Sequence, residues 1–201
     1  NVLSTIDDAT NGKIQINLHN LITMSENEKV LLRKKEIGFI FQNYNLIESL
    51  RIKDNILFSL RINNIDPKIQ QERLNQLTKQ LNIEEILDKY PLQCSGGQQQ
   101  RAAIARALIM QPQIIFADEP TGNLDCENAK ELMELFKKIN RENHTTIVMV
   151  THDSLVASYS NRLLYLEDGK ISKCLERNNK TQEEYYRDII AITTKMDLAH
   201  V

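Results

Sequence analysis

Two carboxylates stand side by side where an apolar run stops: Ile114-Ile115-Phe116-Ala117 is followed at once by Asp118-Glu119-Pro120. If 114–117 is a buried strand of a parallel sheet, the acids lie at a carboxyl end, where ligand chemistry collects in α/β folds. There the first acid can hold Mg²⁺, usually through water. The second can orient or deprotonate a water for attack on a phosphate. The plain alternative is a strand that leaves for solvent through two acids. Ser95-Gly96-Gly97-Gln98 precedes a helical pattern. Amides and dipole at a helix start favour an anion, glycine lets a phosphate approach the backbone, and the serine hydroxyl adds a donor. A simple N-cap with a flexible lead-in would look similar, but two of the six glycines in the chain are adjacent here. His152 follows a second apolar run, Ile147 to Val150, and could donate to a phosphate oxygen or merely cap the next helix. Gln42 follows Phe41 directly and offers an amide oxygen to Mg²⁺ or to a water. Asp125, in Thr121-Gly122-Asn123-Leu124-Asp125, is a natural N-cap.

These residues need strands and helices to bring them together. Ile14, Ile16 and Leu18 alternate with polar residues, which predicts a half-buried strand. Ser25-Glu26-Asn27-Glu28 is a capping-box pattern before a helix through Lys35. Ile37 to Phe41 reads as a buried strand. From Asn43 to Met110 the pattern is helical: Ile56, Leu57 and Leu60 share a face, Asp66-Pro67 starts a helix, and Leu74, Leu77 and Leu81 continue it. Strand, helical connection and strand from Ile114 to Val150 is the βαβ pattern of a parallel sheet. Leu163 to Ile171 reads as a hairpin with Asp168-Gly169 at its turn. Thr181 to Met196 reads as a last helix, with Tyr185, Ile189, Ile192 and Met196 on one side. The expected fold class is therefore α/β, divided at 1–42, 43–110, 111–175 and 176–201.

Composition narrows the function. A formal net charge of −2 gives no global pull toward nucleic acid or anionic lipid. Three cysteines without CxxC spacing argue against a zinc cluster or a disulfide framework. No apolar run approaches the ~18 residues that span a bilayer, and no signal-peptide pattern is visible. The expectation is a reduced, cytosolic-type chain that meets a membrane only through a partner.

Taken together, the motifs resemble those of the ATP-binding subunit of ABC transporters. Cys94-Ser95-Gly96-Gly97-Gln98 looks like the family signature, Ile115 to Glu119 like the Walker B strand, Gln42 like the Q-loop, Asn123-Leu124-Asp125 like the D-loop and His152 like the switch histidine, all in family order. The resemblance implies a P-loop NTPase core with an inserted α-helical subdomain. It implies ATP and Mg²⁺ as ligands, with Gln42 and Asp118 at the metal. Glu119 would act on the attacking water and His152 on the γ-phosphate. Ser95, Gly96, Gly97 and Gln98 would contact nucleotide held by a second subunit, and Asp125 would couple the two sites. Partners would be that second ATP-binding subunit and an integral membrane permease, which would place the chain on the inner face of the cell membrane; no nucleic acid is implied. Thr121 to Asp125 and Ile37 to Leu46 are similar to the lipoprotein-release, macrolide-export and antimicrobial-peptide group. The tail around Tyr185-Tyr186-Arg187 is similar to bacitracin-type exporters, or is an ordinary amphipathic helix. A cell-division ATPase without transport shares every motif and is the alternative.

Two departures stand out. Cys94 replaces the usual leucine, and packing is the reading preferred over redox chemistry because no basic neighbour is evident. The phosphate-cradling pattern G-x-x-x-x-G-K-[ST] is absent. The resemblance places that loop just before Asn1, with Asn1 to Ser4 on the helix it opens. The expectation is an incomplete chain that alone binds ATP poorly, not a degenerate enzyme, since Glu119 and His152 are present.

Overall fold

The computed structural model describes the backbone of residues 2–199 and the side chains of residues 2–194. Three short strands form its parallel sheet: β3 (Ile37–Ile40), β4 (Ile114–Asp118) and β5 (Thr146–Val150), in the order β3-β4-β5. Their register pairs Ile40 with Ala117 and Asp118 with Val150. The chain therefore leaves all three strands at one edge, carrying Gln42, Glu119 and His152.

Before the sheet come β1 (Gln15–Ile16), β2 (His19–Asn20) and α1 (Glu26–Lys35). The capping box that opens α1 is formed, with Ser25 N–H donating to Glu28 at 2.7 Å. The single strand expected over Ile14 to Leu18 is instead a tight hairpin. Asn17 takes a left-handed φ of 52°, which asparagine tolerates. Leu18 lands at the tip, 93% exposed, while Ile14 and Ile16 pack with Leu21, Leu32 and Ile37. The helix expected at Asn1 to Ser4 is also corrected. Asn1 lies outside the described residues, and Val2 to Thr5 form turns. Thr5 has φ 60°, which stops a right-handed helix. Its carbonyl accepts from Arg33 at 2.6 Å.

Between β3 and β4 lie α2 (Ile52–Ile62), α3 (Pro67–Leu81), two single 3₁₀ turns and α4 (Gly96–Leu108). Asp66 caps α3 by accepting from Lys68 N–H at 2.8 Å, with Pro67 at the first helical position. The long helical insertion and the sheet share one apolar cluster, in which Ile56, Leu60, Leu81, Ile104, Ile115 and Ile139 are fully buried. Gly38, a glycine with no evident use in the sequence, is where α4 meets the sheet. A Cβ there would lie 2.8 Å from the carbonyl oxygen of Ala107, so glycine permits the close approach.

After β4 come α5 (Cys126–Asn143), the short α6 (Ser154–Ala157), β6 (Arg162–Glu167), β7 (Lys170–Glu176) and α7 (Gln182–Ala199). β6 and β7 pair as the expected antiparallel hairpin, turning at Asp168 and Gly169, both at positive φ. Along α7, Tyr185 and Ile189 are buried against Ala157, with Leu163 and Leu175 beside them. The expected place of Met196 on that face lies outside the described side chains. Among the described residues no helix is long and apolar enough to cross a membrane.

Candidate functional site

Glu119 and His152 are 33 residues apart in sequence and meet at the strand ends. Glu119 Oε1 accepts from the backbone N–H of His152 at 3.0 Å and lies 2.7 Å from its Nδ1. A carboxylate only accepts, so Nδ1 carries the proton in this pair. The hydrogen bond to Glu119, with its charge, raises the His152 pKa above the usual imidazole range. The proton is thus held on Nδ1, and Nε2 becomes a second donor as the ring charges. The reading of His152 as a helix cap is excluded, because Asp153 caps α6 by accepting from Leu155 N–H at 2.7 Å and Val156 N–H at 3.2 Å. Glu119 also sits at φ 43°, unusual for a non-glycine residue. Its N–H donates to Val150 O at 3.0 Å, and its carbonyl accepts from Gly122 N–H at 3.0 Å. Pro120 occupies the second position of that four-residue turn, where its fixed φ fits.

Gln42 faces the same turn. A Cβ on Gly122 would stand 2.8 Å from Gln42 Nε2, so Gly122 makes room for the glutamine amide. Asn123 Nδ2 donates to the Gln42 carbonyl at 2.9 Å, joining the Q-loop and D-loop positions. Beyond Gln42 the backbone is left-handed at both Tyr44 and Asn45. Arg106 of α4 clamps it, with donors to Tyr44 O at 2.8 Å and to Asn45 O. Burial lowers the Arg106 pKa from its usual value. Buried Asn55 adds a bond to Ile47 N–H at 2.7 Å.

The signature residues lie at the first turn of α4. Ser95 accepts from Gln98 N–H at 3.3 Å, and Gln98 Oε1 accepts from Ser95 N–H at 3.0 Å, a reciprocal capping box. Ser95 therefore keeps its hydroxyl proton for another acceptor. Gly96 and Gly97 are where a Cβ would stand 3.0 Å from the Tyr44 hydroxyl and 3.2 Å from Asn128 Oδ1. Asp125 caps α5, accepting from Asn128 N–H at 2.9 Å and Asn128 Nδ2 at 2.8 Å, and these bonds lower its pKa. Cys94 is buried, and burial raises its thiol pKa, which fits packing and disfavours a reactive thiolate.

Asp118 ends β4 exposed at the same edge. Among the described residues no group of three or more His, Cys, Asp or Glu could hold a metal ion. One carboxylate and one amide oxygen still suit Mg²⁺, which keeps several waters and relies on substrate phosphates. Missing from the sequence reading were Tyr44, Arg106, Gln100 and Asn128. Gln100 carried a signal: a polar residue on the α4 face that also holds Ala103, Ile104 and Ala107.

Known proteins are similar to this chain in sequence and in fold. The family model described as ABC transporter matches residues 1–122, more than half of the chain. The chain is 45% identical over 190 residues to the bacitracin export ATP-binding protein BceA of Halalkalibacterium halodurans, covering 94% of this chain and 75% of that protein. It is 38% identical over 173 residues to the macrolide export ATP-binding/permease protein MacB of Syntrophobacter fumaroxidans, covering 85% of this chain and 24% of that longer protein. A solved ATP-binding cassette of Methanocaldococcus jannaschii, a dimer in a post-hydrolysis state with ADP and Pi, superposes with a TM-score of 0.79 at 35% identity. That match covers 87% of this chain and 77% of the other. Motif order, strand-end geometry and these likenesses agree, and the chain belongs to the ABC transporter family as one of its ATP-binding subunits.

Proposed function

We propose that this subunit hydrolyses ATP to drive an exporter or extractor in a membrane, with an antimicrobial peptide of the bacitracin kind as its substrate. The substrate reading rests on the likeness to the bacitracin export protein. In this reading two ATP-binding subunits close on nucleotide, as the dimeric neighbour supports. A permease holds them at the inner face of the membrane, as the fused permease of the macrolide exporter suggests.

The observation that carries the chemistry is the Glu119–His152 pair. Both of its donors fall on Oε1, so the lone pairs of Oε2 are where a water would deliver its proton. The water oxygen bonds to the γ-phosphorus, the bond to the leaving phosphate oxygen breaks, and the proton passes to Glu119. His152, whose ring charges more readily beside Glu119, presents Nε2 as a donor to a γ-phosphate oxygen when charged. Asp118 through water and Gln42 through its amide oxygen would hold Mg²⁺, which supplies neutralising charge at the phosphates. Ser95 and the amides of Gly96 and Gly97 would meet the γ-phosphate held by the partner, with Gln98 fixing their turn and Asp125 setting the α5 start beside them.

Residues 1–201 contain no G-x-x-x-x-G-K-[ST] pattern. A polypeptide of these residues alone is expected not to retain ATP in equilibrium dialysis. Retention would show that the phosphates are gripped some other way. For the catalytic assignment, Glu119→Gln in the full-length gene product is expected to trap an ATP-bound dimer on size exclusion while phosphate release stops. Normal turnover in that variant would remove Glu119 from the role of base.

A further inference from the structure

α4 reaches the catalytic turn through a buried amide. Gln100 lies one turn into α4 with 1% of its surface exposed, and its Nε2 donates to the carbonyl of Pro120 at 2.8 Å. That carbonyl can only accept, which fixes which end of the amide faces it. The other end, Oε1, is buried without a hydrogen-bond partner among the described residues. A buried acceptor left this way is unfavourable. An apolar side chain of equal length would fill the space better, so packing does not account for the amide, whereas the bond to Pro120 does. Pro120 directly follows Glu119, whose left-handed backbone is already tied to Val150 and to Gly122. A non-glycine residue persists in that conformation only when its surroundings over-determine it. The Gln100 bond is a third tie on this turn. It comes from the helix whose first turn is Ser95 to Gly97.

We infer that Gln100 is a positioning residue: through Pro120 it fixes the Glu119 carboxylate and links the placement of that base to the seating of the signature turn. The inference rests on Glu119 being the base. α4 is one continuous helix from Gly96 to Leu108, so a displacement of its first turn by an arriving phosphate is carried to the Gln100 amide and from there to Pro120. Gln100 itself is buried and acts through Glu119 without touching substrate.

Gln100→Met in the full-length gene product keeps length and helix preference and removes the donor. Its kcat is expected to fall by about tenfold or more while KM for ATP stays within about twofold, since misplacing a reacting group by a fraction of an ångström is enough for such losses. Added to Glu119→Gln, the same change should leave the ATP concentration that traps the dimer unaltered within about twofold. Gln100→Glu serves as a second variant, because it keeps the shape and donates only when protonated. Its kcat relative to wild type is expected to rise as pH falls. A Gln100→Met kcat within about twofold of wild type overturns the inference. So does a loss of kcat matched by an equal rise in the ATP needed for trapping, which is the mark of a packing residue, or a pH-independent ratio for Gln100→Glu. Normal turnover in Glu119→Gln alone overturns both the assignment of Glu119 as base and the coupling, because no base is then left to position.

Discussion

The signature turn at the start of α4 and the acid–histidine pair at the ends of β4 and β5 reach their geometry by different routes. Ser95 and Gln98 satisfy each other across three residues. Glu119 and His152 are joined across 33 residues, and Asn123 reaches Gln42 across 81. The signature is therefore a local structure, set by cap chemistry and helix polarity. The catalytic edge is a product of topology, set by the parallel register that ends β3, β4 and β5 together. Damage should follow the same division. At the catalytic edge a substitution can remove chemistry with little effect on folding, because Glu119 and His152 are held by backbone that neighbouring strands already fix. At the signature, in the proposed mechanism, a substitution acts on helix stability and on anion binding at once.

Glu119→Gln is expected to give the largest effect. The amide keeps the size of the carboxylate but cannot take a proton, so kcat should fall by about 10²–10⁴-fold, the usual contribution of general-base catalysis. The thermal midpoint should move little, since the backbone ties of Glu119 to Val150 and Gly122 do not involve its side chain. A large loss of stability alongside the loss of kcat would erase the contrast between the two regions.

How far each region was legible in the sequence follows from the same distinction. Ser95, Ser25 with Glu28 and Asp66 with Pro67 announce helix starts, and all three helices form there. The strands before Gln42, Asp118 and His152 are visible as apolar runs, and their family order nominates these residues as site candidates. The Glu119–His152 bond itself was not readable, because it depends on strand order and register. Ile14 to Leu18 misled because alternation persists through a two-residue turn, and only the left-handed Asn17 separates a hairpin from a strand. Gly38 looked idle because its neighbour, the Ala107 carbonyl, is 69 positions away in the chain. Tyr44 and Arg106 were missed for a similar reason: the clamp satisfies backbone carbonyls, which carry no side-chain signature.

Gly38→Ala is the next largest effect, and it tests the topological half without touching chemistry. Its Cβ would meet a backbone oxygen at 2.8 Å, and neither α4 nor β3 can yield as a flexible side chain would. Overpacking of this kind typically costs about 1–3 kcal/mol, readable as a lowered midpoint in denaturant or heat. A neutral result would mean that α4 and β3 slide past each other freely, and the close approach would then not position Gln42. Ser95→Ala follows at about 1 kcal/mol, the usual loss for a serine N-cap. Ser95→Asp separates the two uses of the residue. Aspartate caps as well as serine, so stability should be kept, while the added charge opposes an approaching phosphate and ATP turnover should fall. Retained turnover in Ser95→Asp would take the signature turn out of anion binding.

The smallest effect is the pH dependence of the acid–histidine pair, and it separates the regions by sign as well as size. Glu119 raises the His152 pKa. A histidine with a raised folded-state pKa adds stability that is fully present below its unfolded pKa and is lost as pH rises through the folded one. The stability gap between wild type and Glu119→Gln should thus be open on the acid side of the imidazole range, as long as Glu119 stays ionised, and close on the alkaline side. The ring is 85% exposed, so water screens the pair and the gap is small. The imidazole resonance read by NMR is the more sensitive measure, and it should titrate at higher pH in wild type than in Glu119→Gln. The Ser95 cap contains no titrating group, so the gap between wild type and Ser95→Ala should not change over the same range. If both gaps moved together with pH, the Ser95 cap would sense the charge of the acid–histidine pair, which the uncharged Gln100 bond to Pro120 does not carry, and the signature turn would not be set by local cap chemistry.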